Sequence, residues 1–301
     1  MTVLTVRTPN VFIVGAGPVA GALAGALRHS GAPVLGLWAR RPEAARKAAA
    51  ASGVAAFSAA PPDLLLEADA IVLAVRDDAI AQVARMLCDT GLVNKKHVLL
   101  HCSGAFAASE VLGGVQGRVA GVATLHPLRS IVDARAAGVS MKGTVFGVEG
   151  DEAGRPMALE LARLLGGRPL DLRGETMALY HAAASMASNA LVALASASAE
   201  VLSAAGVPPA EALAAIAPLM LGTVENLIKV GLPAALTGPI ARGDSGTVER
   251  HLTALRAGAP QLLELYAVAA RKTLAVARQK GDGDPAGWQK IDALLGGAAA
   301  R

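Results

Sequence analysis

Aromatic side chains make up only 3% of these 301 residues, and cysteine occurs just twice, at Cys88 and Cys102. Two cysteines exclude a disulfide framework, and without a CxxC pair no metal is expected. Charged residues are also sparse, at 17% against 53% hydrophobic ones. A chain of that composition buries a large core, which excludes disorder. Its apolar residues are mostly alanine, leucine and valine, which favours close-packed helices over an aromatic-filled sandwich. No run of about 18 residues is free of polar or breaking groups, so no membrane contact is expected. The most apolar stretch, 181–205, carries His181, Ser185, Ser188, Asn189 and Glu200 and reads as a buried helix. The net charge of +4 is spread along the chain with no basic run interleaved with aromatics, so nucleic acid is not an expected partner. A mildly positive field suits a small anionic substrate instead. Residues 1–10 lack a basic start and apolar core of the secretory type, and a cytoplasmic location is expected.

At about 150 residues per domain the length suggests two domains. The first half alternates β-branched apolar runs (11–14, 34–38, 69–75, 98–101, 119–124 and 144–148) with alanine-rich helical stretches, closed by a helix over 153–165 and a strand over 168–172. That alternation predicts βαβ units, hence a doubly wound, mostly parallel sheet with helices on both faces. After Gly174 the strand signals vanish, and an all-helical domain over 174–301 is expected, opened by one long helix from Met177 to Ala204.

Gly15-Ala16-Gly17-Pro18-Val19-Ala20 directly follows the first strand and opens a helix, the context in which a GxGxxG-type turn binds a dinucleotide. The first glycine permits the tight turn, the second lets a pyrophosphate approach the backbone, and a small third residue lets helix and strand pack. The helix amino end then holds the phosphates. The second strand ends in Trp38-Ala39-Arg40-Arg41, with no carboxylate before Glu43 to take a ribose 2′-hydroxyl. Arginine there suits a 2′-phosphate, so NADP(H) is the expected cofactor.

Ligands of open α/β sheets lie beyond the carboxyl ends of the strands. Val75, His101 and Ser103 are therefore expected beside the cofactor, and His126 beside a substrate; Cys102 reads as an inert buried thiol. Asp77 or Asp78 reads as a helix cap. His181, Ser185 and Asn189 recur at i, i+4 and i+8, and on one continuous helix they drift by about 40° per step. An imidazole, a hydroxyl and an amide amid alanine call for a ligand, so these are the candidate catalytic residues, with His181 as general acid/base. Arg242, in a glycine-flanked loop before a helix capped by Asp244 or Ser245, is a candidate for gripping a substrate carboxylate.

The segments GAGPVAGAL (15–23), HCSGA (101–105), LHPL (125–128), HAAASMASN (181–189) and TGPIARGD (237–244) resemble a bacterial family of Rossmann-like oxidoreductases whose helical C-terminal half is a domain of unknown function. More distantly the chain is similar to pyrroline-5-carboxylate reductase, ketopantoate reductase and the β-hydroxyacid dehydrogenases. This resemblance implies a nucleotide domain joined to a helical, dimer-forming domain similar to that of 6-phosphogluconate dehydrogenase. It also implies reduction of a C=O or C=N bond beside a carboxylate. Ketopantoate reductases carry a catalytic lysine and two asparagines at the spacing of His181, Ser185 and Asn189, so histidine replaces lysine and serine the first asparagine here. The alternatives are a non-catalytic NADP-binding sensor or scaffold, and an enzyme that couples NADP to the deazaflavin F420.

Overall fold

The computed structural model describes residues 7–132 and 141–298. Eight strands form one sheet: β1 (Val11–Val14), β2 (Val34–Ala39), β3 (Ala56–Ser58), β4 (Ala70–Leu73), β5 (Val98–His101), β6 (Gly121–Leu128), β7 (Val145–Gly150) and β8 (Arg168–Asp171). Their order is β3-β2-β1-β4-β5-β6-β7-β8. Neighbours pair in parallel except β6 and β7, which run antiparallel with His126 opposite Gly147 and Thr124 opposite Glu149. β7 and β8 are parallel to one another. The expected doubly wound, mostly parallel sheet is thus present, with β3 added at one edge.

The helices of this part are α1 (Pro18–His29), α2 (Pro42–Ser52), α3 (Ile80–Asp89), α4 (Ala108–Leu112), α5 (Gly154–Leu164) and α6 (Met177–Ala187). Each of α1 and α2 starts on a proline, whose fixed φ and missing N–H cost nothing in a first turn. Gly53 ends α2 in the left-handed region at φ 71°, its N–H bonded to Ala49 O at 2.7 Å. Two cores flank the sheet. Leu23, Leu27, Val72, Leu100, Phe146 and Leu161 pack one face, and Phe12, Trp38, Leu73, Leu87, Leu99 and Leu112 the other. Each fully buried leucine contributes about 1.5–3 kcal/mol relative to exposure.

The later helices are α7 (Asn189–Ala204), α8 (Pro209–Val230), α9 (Pro239–Arg242), α10 (Ser245–Gly258), α11 (Leu263–Lys280) and α12 (Pro285–Ala298). By its internal contacts the chain divides after Met186, so α6 groups with the sheet, whereas the sequence placed the boundary near residue 173. The second unit has its own core of Val248, Leu252, Leu274, Trp288, Ile291 and Leu295, pinned by Trp288 Nε1 donating to Ile240 O at 2.9 Å. Asp244 caps α10 as expected, accepting from Thr247 N at 3.0 Å and from the Thr247 hydroxyl at 2.7 Å.

Two expectations are corrected here. The single helix over 177–204 is interrupted at Ser188, whose φ of −115° and ψ of −69° depart from helical values, so α6 and α7 are separate helices. Nor is this stretch buried: Leu179, Met186 and Val192 are exposed in the single chain. The segments 174–204 and 209–230 are long and apolar enough to cross a membrane by composition, with mean hydropathies of 1.3 and 1.5, yet none of their most apolar windows is covered by the chain itself.

Candidate active site

The glycine turn between β1 and α1 has the backbone its sequence requires. Gly15 stands at φ 137°, and a Cβ there would collide with the Ala74 carbonyl at the end of β4, so only glycine fits. Its N–H bonds Trp38 O at 2.8 Å, tying the turn to β2. Gly17 differs: its φ is ordinary, and a Cβ would meet nothing within 4 Å. It is the N-cap of α1, yet no side chain caps the helix and no acid lies in the first turn. An open space against an uncapped, positively polarised helix end is the cradle a pyrophosphate fills. Ala16 and Val19 border it half-buried, Gly17 and Pro18 are exposed, and Ala20 is buried, as the small third position demands.

At the end of β2, Ala39 is half-buried and the side chains of Arg40 and Arg41 are exposed, with no hydrogen bond or ion pair among the described residues. Two free guanidiniums and no carboxylate fit a ribose 2′-phosphate. Val75 is half-buried just beyond β4. Arg76 pairs with Asp78 at 3.0 Å, and the Asp77 side chain makes no cap.

Beyond β5 and β6 the structure separates two histidines that the sequence treats alike. His101 has no exposed surface. Ser103 N–H donates to its Nδ1 at 3.2 Å, which leaves the proton on Nε2 to donate to Thr124 Oγ1 at 3.1 Å. Thr124 in turn donates to Glu149 Oε2 at 3.2 Å, which also accepts from Ala108 N–H at 2.8 Å at the start of α4. Burial, reinforced by His126, pushes His101 down to about 4, so the ring is neutral. His101, expected beside the cofactor, thus ties the loop after β5 to the sheet, with both ring nitrogens engaged. Ser103 belongs to the same loop, buried, with its Oγ accepting from Ala105 N at 3.2 Å. Burial holds the Cys102 thiol near 12, which makes it inert.

His126 remains half-buried, past the end of β5. Ala123 and Leu125 of β6 enter the first core, so Thr124 and His126 point to the opposite face of the sheet. There the His126 ring lies against Gly104, where any Cβ would come within 2.8 Å of it. Its Nδ1 is 2.8 Å from the Tyr180 hydroxyl on α6. Tyr180 stands edge-on to the ring at a centroid distance of 5.5 Å, and His181 edge-on at 6.0 Å. Desolvation first, then His181, lowers His126 to about 4, against a smaller upward pull from Asp77. Burial raises Tyr180 to about 12, opposed by a hydrogen bond from the Gly147 backbone. Both groups are therefore uncharged near neutrality.

The structure thus brings His126 and His181 together, with Tyr180 packed between Gly147 of β7 and His126, a member that the sequence reading missed. Ser185 lies half-buried one turn further along α6. Asn189 is exposed at the start of α7, beyond the interruption at Ser188, so the three-residue stripe is not one continuous face. In the second unit Arg242 is exposed, and its guanidinium makes no hydrogen bond or ion pair among the described residues. Its loop is held by Asp284 N–H donating to Arg242 O at 3.1 Å. The same unit contains an apolar cavity of about 600 Å³ between α7, α8, α10 and α11. Its polar lining is Ser198 and the pair of His251 Nδ1 and the Tyr266 hydroxyl, 2.8 Å apart, and none of the candidate site residues lines it. No cluster of three potential metal ligands occurs among the described residues.

Two family models match parts of the chain. Residues 10–101 match the family described as NADP oxidoreductase, coenzyme F420-dependent, and residues 144–273 match a domain of unknown function, DUF2520. No curated protein matches. Among solved structures, a protein from Thermotoga maritima shares 28% identity over 90% of this chain and 99% of its own, with a TM-score of 0.69. A pyrroline-5-carboxylate reductase from Coxiella burnetii is 17% identical over 91% and 98% of the two chains, with a TM-score of 0.59. A reductive aminase from Aspergillus terreus, solved with NADPH and ethyl levulinate, is 19% identical over 95% and 99%, with a TM-score of 0.61. At such identities the last two show a common fold. The chain is thus similar to the NADP oxidoreductase, coenzyme F420-dependent, family over its first strands and to DUF2520 over 144–273, on a Rossmann-type fold.

Proposed function

We propose that the protein is an NADP(H)-dependent oxidoreductase that reduces a C=O or C=N bond in a small, carboxylate-bearing compound. The observation that carries this reading is the pairing of an open cradle at Gly17, on an uncapped helix end, with two unpaired arginines at the end of β2. The reductases and aminases of like fold support it, as does the family match over residues 10–101. When bound, the reduced nicotinamide supplies the hydride. The protein's own groups do the rest: the α1 amino end and Arg40 and Arg41 hold the phosphates, and His126, Tyr180 and His181 serve the proton of the reduced heteroatom. Ser185 and Asn189 orient the substrate, and Arg242 takes its carboxylate.

The working unit in this reading is a cytoplasmic homodimer whose second copy covers the bare apolar surfaces of α7 and α8. The test is calorimetric titration with NADPH, then a screen of 2-oxo acids and cyclic imines followed by loss of the reduced-nicotinamide absorbance. Binding without oxidation of NADPH by any compound would favour a sensor or scaffold. The family match over 10–101 favours adding F420 to that screen, since hydride exchange with the deazaflavin would make it the second substrate.

A further inference from the structure

We propose that Tyr180 is the group that delivers the proton to the reduced heteroatom, with His126 as its positioning partner. The proposal rests on the reading of this cleft as an NADP(H) reductase site and decides which of its polar groups acts.

Four groups near the strand ends are disqualified by their surroundings. His101 is fully buried with both nitrogens engaged, and Cys102 is desolvated. Ser103 Oγ is buried and occupied by Ala105 N–H. His181 is exposed, and its ring makes no hydrogen bond among the described residues, standing edge-on to the His126 ring. A proton donor must be held still to work, because misplacement costs rate steeply. Tyr180 is held by its surroundings: its oxygen is 2.8 Å from His126 Nδ1, and its ring packs against Gly147 of β7. Gly147 is required for this approach, since a Cβ there would sit 2.7 Å from the phenol oxygen. His126 is itself seated against Gly104 of the loop that follows β5. Two glycines therefore make room for one pair of side chains just past the carboxyl end of β5, on the side of the sheet where substrates of such folds lie.

The chemistry balances for an uncharged carbonyl. As hydride reaches the carbon, the C=O π pair moves to oxygen, and that oxygen takes the phenolic proton. The phenolate left behind accepts a hydrogen bond from His126 Nδ1–H. It recovers a proton from Nδ1 while Nε2 takes one from water. A neutral imine nitrogen is served in the same way, whereas an iminium already carries its proton and needs no donor. The site therefore favours uncharged C=O or C=N substrates.

The chain has only two tyrosines, Tyr180 and Tyr266, so ¹³Cζ-labelled tyrosine gives two resonances, and Tyr180→Phe identifies them. Saturation with NADP⁺ should move the Tyr180 signal further than NADPH does, because only the oxidised ring is cationic, while Tyr266 stays in place. In the carbonyl screen Tyr180→Phe should lower kcat by about a hundred- to ten-thousandfold and leave the NADPH dissociation constant within about twofold. His126→Asn should shift the free Tyr180 resonance without moving that of Tyr266. If both coenzymes bind but move Tyr180 equally or not at all, or if Tyr180→Phe keeps wild-type kcat, the donor assignment is overturned while the cofactor reading stands. If neither coenzyme binds, both fall together.

Discussion

Arg40 and Arg41 carry the choice between two coenzymes that differ by one phosphate. Their guanidiniums are exposed, so replacing both with alanine disturbs no packing and acts on the ligand alone. A charge-assisted arginine–phosphate contact is worth about 1.5–3 kcal/mol. The double variant should therefore weaken NADPH by at least about tenfold and leave NADH nearly unchanged, as calorimetry with the two coenzymes would show. Equal losses would remove the 2′-phosphate from the argument. His101 and His126 make a second expectation at this scale. Both ionise near pH 4 in the folded chain, against about 6.5 when unfolded. Between those values the unfolded chain binds more protons, so their contribution to stability is complete above about pH 6.5 and is lost as pH falls toward 4. Denaturant midpoints should drop over that window, and replacing both histidines by glutamine should flatten the dependence. A wild-type midpoint that stays constant would mean that these rings are well hydrated.

Helix α1 begins with its first-turn amides uncovered, which is a stability concession. Aspartate at position 17 has room and an ordinary φ, and as N-cap residue it would add a few tenths of a kcal/mol over glycine. Gly17→Asp should therefore melt no lower than the wild type. The same carboxylate occupies and repels the pyrophosphate, so NADPH affinity should fall more than a hundredfold; a variant that still binds tightly would displace the cofactor from this turn. Elements such as β1 and β4 were legible because VFIV and AIVL are short runs bounded by turn residues. β3 was not, because Ala56-Phe57-Ser58 is too short and too exposed to leave a pattern. The interruption at Ser188 carries neither glycine nor proline, so nothing local announced it. Tyr180 was passed over as a lone aromatic beside the more conspicuous His181. The fates of His101 and His126 diverge only through partners 23 and 54 residues distant, Thr124 and Tyr180, which spacing along a chain does not reveal.

For the whole molecule, the exposed leucines and isoleucines of the long helices are the largest departure from what a lone protomer tolerates. Contiguous apolar surface of this kind marks an interaction face. Leu219 and Ile228 are 73% and 82% exposed, so Leu219→Glu with Ile228→Glu should leave the protomer folded and divide the dimer. Light scattering should give twice 30.2 kDa for the wild type and close to 30.2 kDa for the double variant. A wild type that runs as a monomer would leave those helices without the proposed cover.

The reversal at β7 has a consequence for how the proposed site is assembled. Because β7 and β8 descend where β1 to β6 ascend, the polypeptide finishes the sheet at Asp171, facing away from the glycine turn. It must then climb again, and α6 is that ascent, bringing Tyr180 against both Gly147 and His126, with His181 beside His126. One reversed hairpin thus sets the itinerary by which a distant stretch of sequence is steered onto the strand it serves. An insertion of a single residue between Asp171 and Met177 would rotate that climb and send the phenol elsewhere.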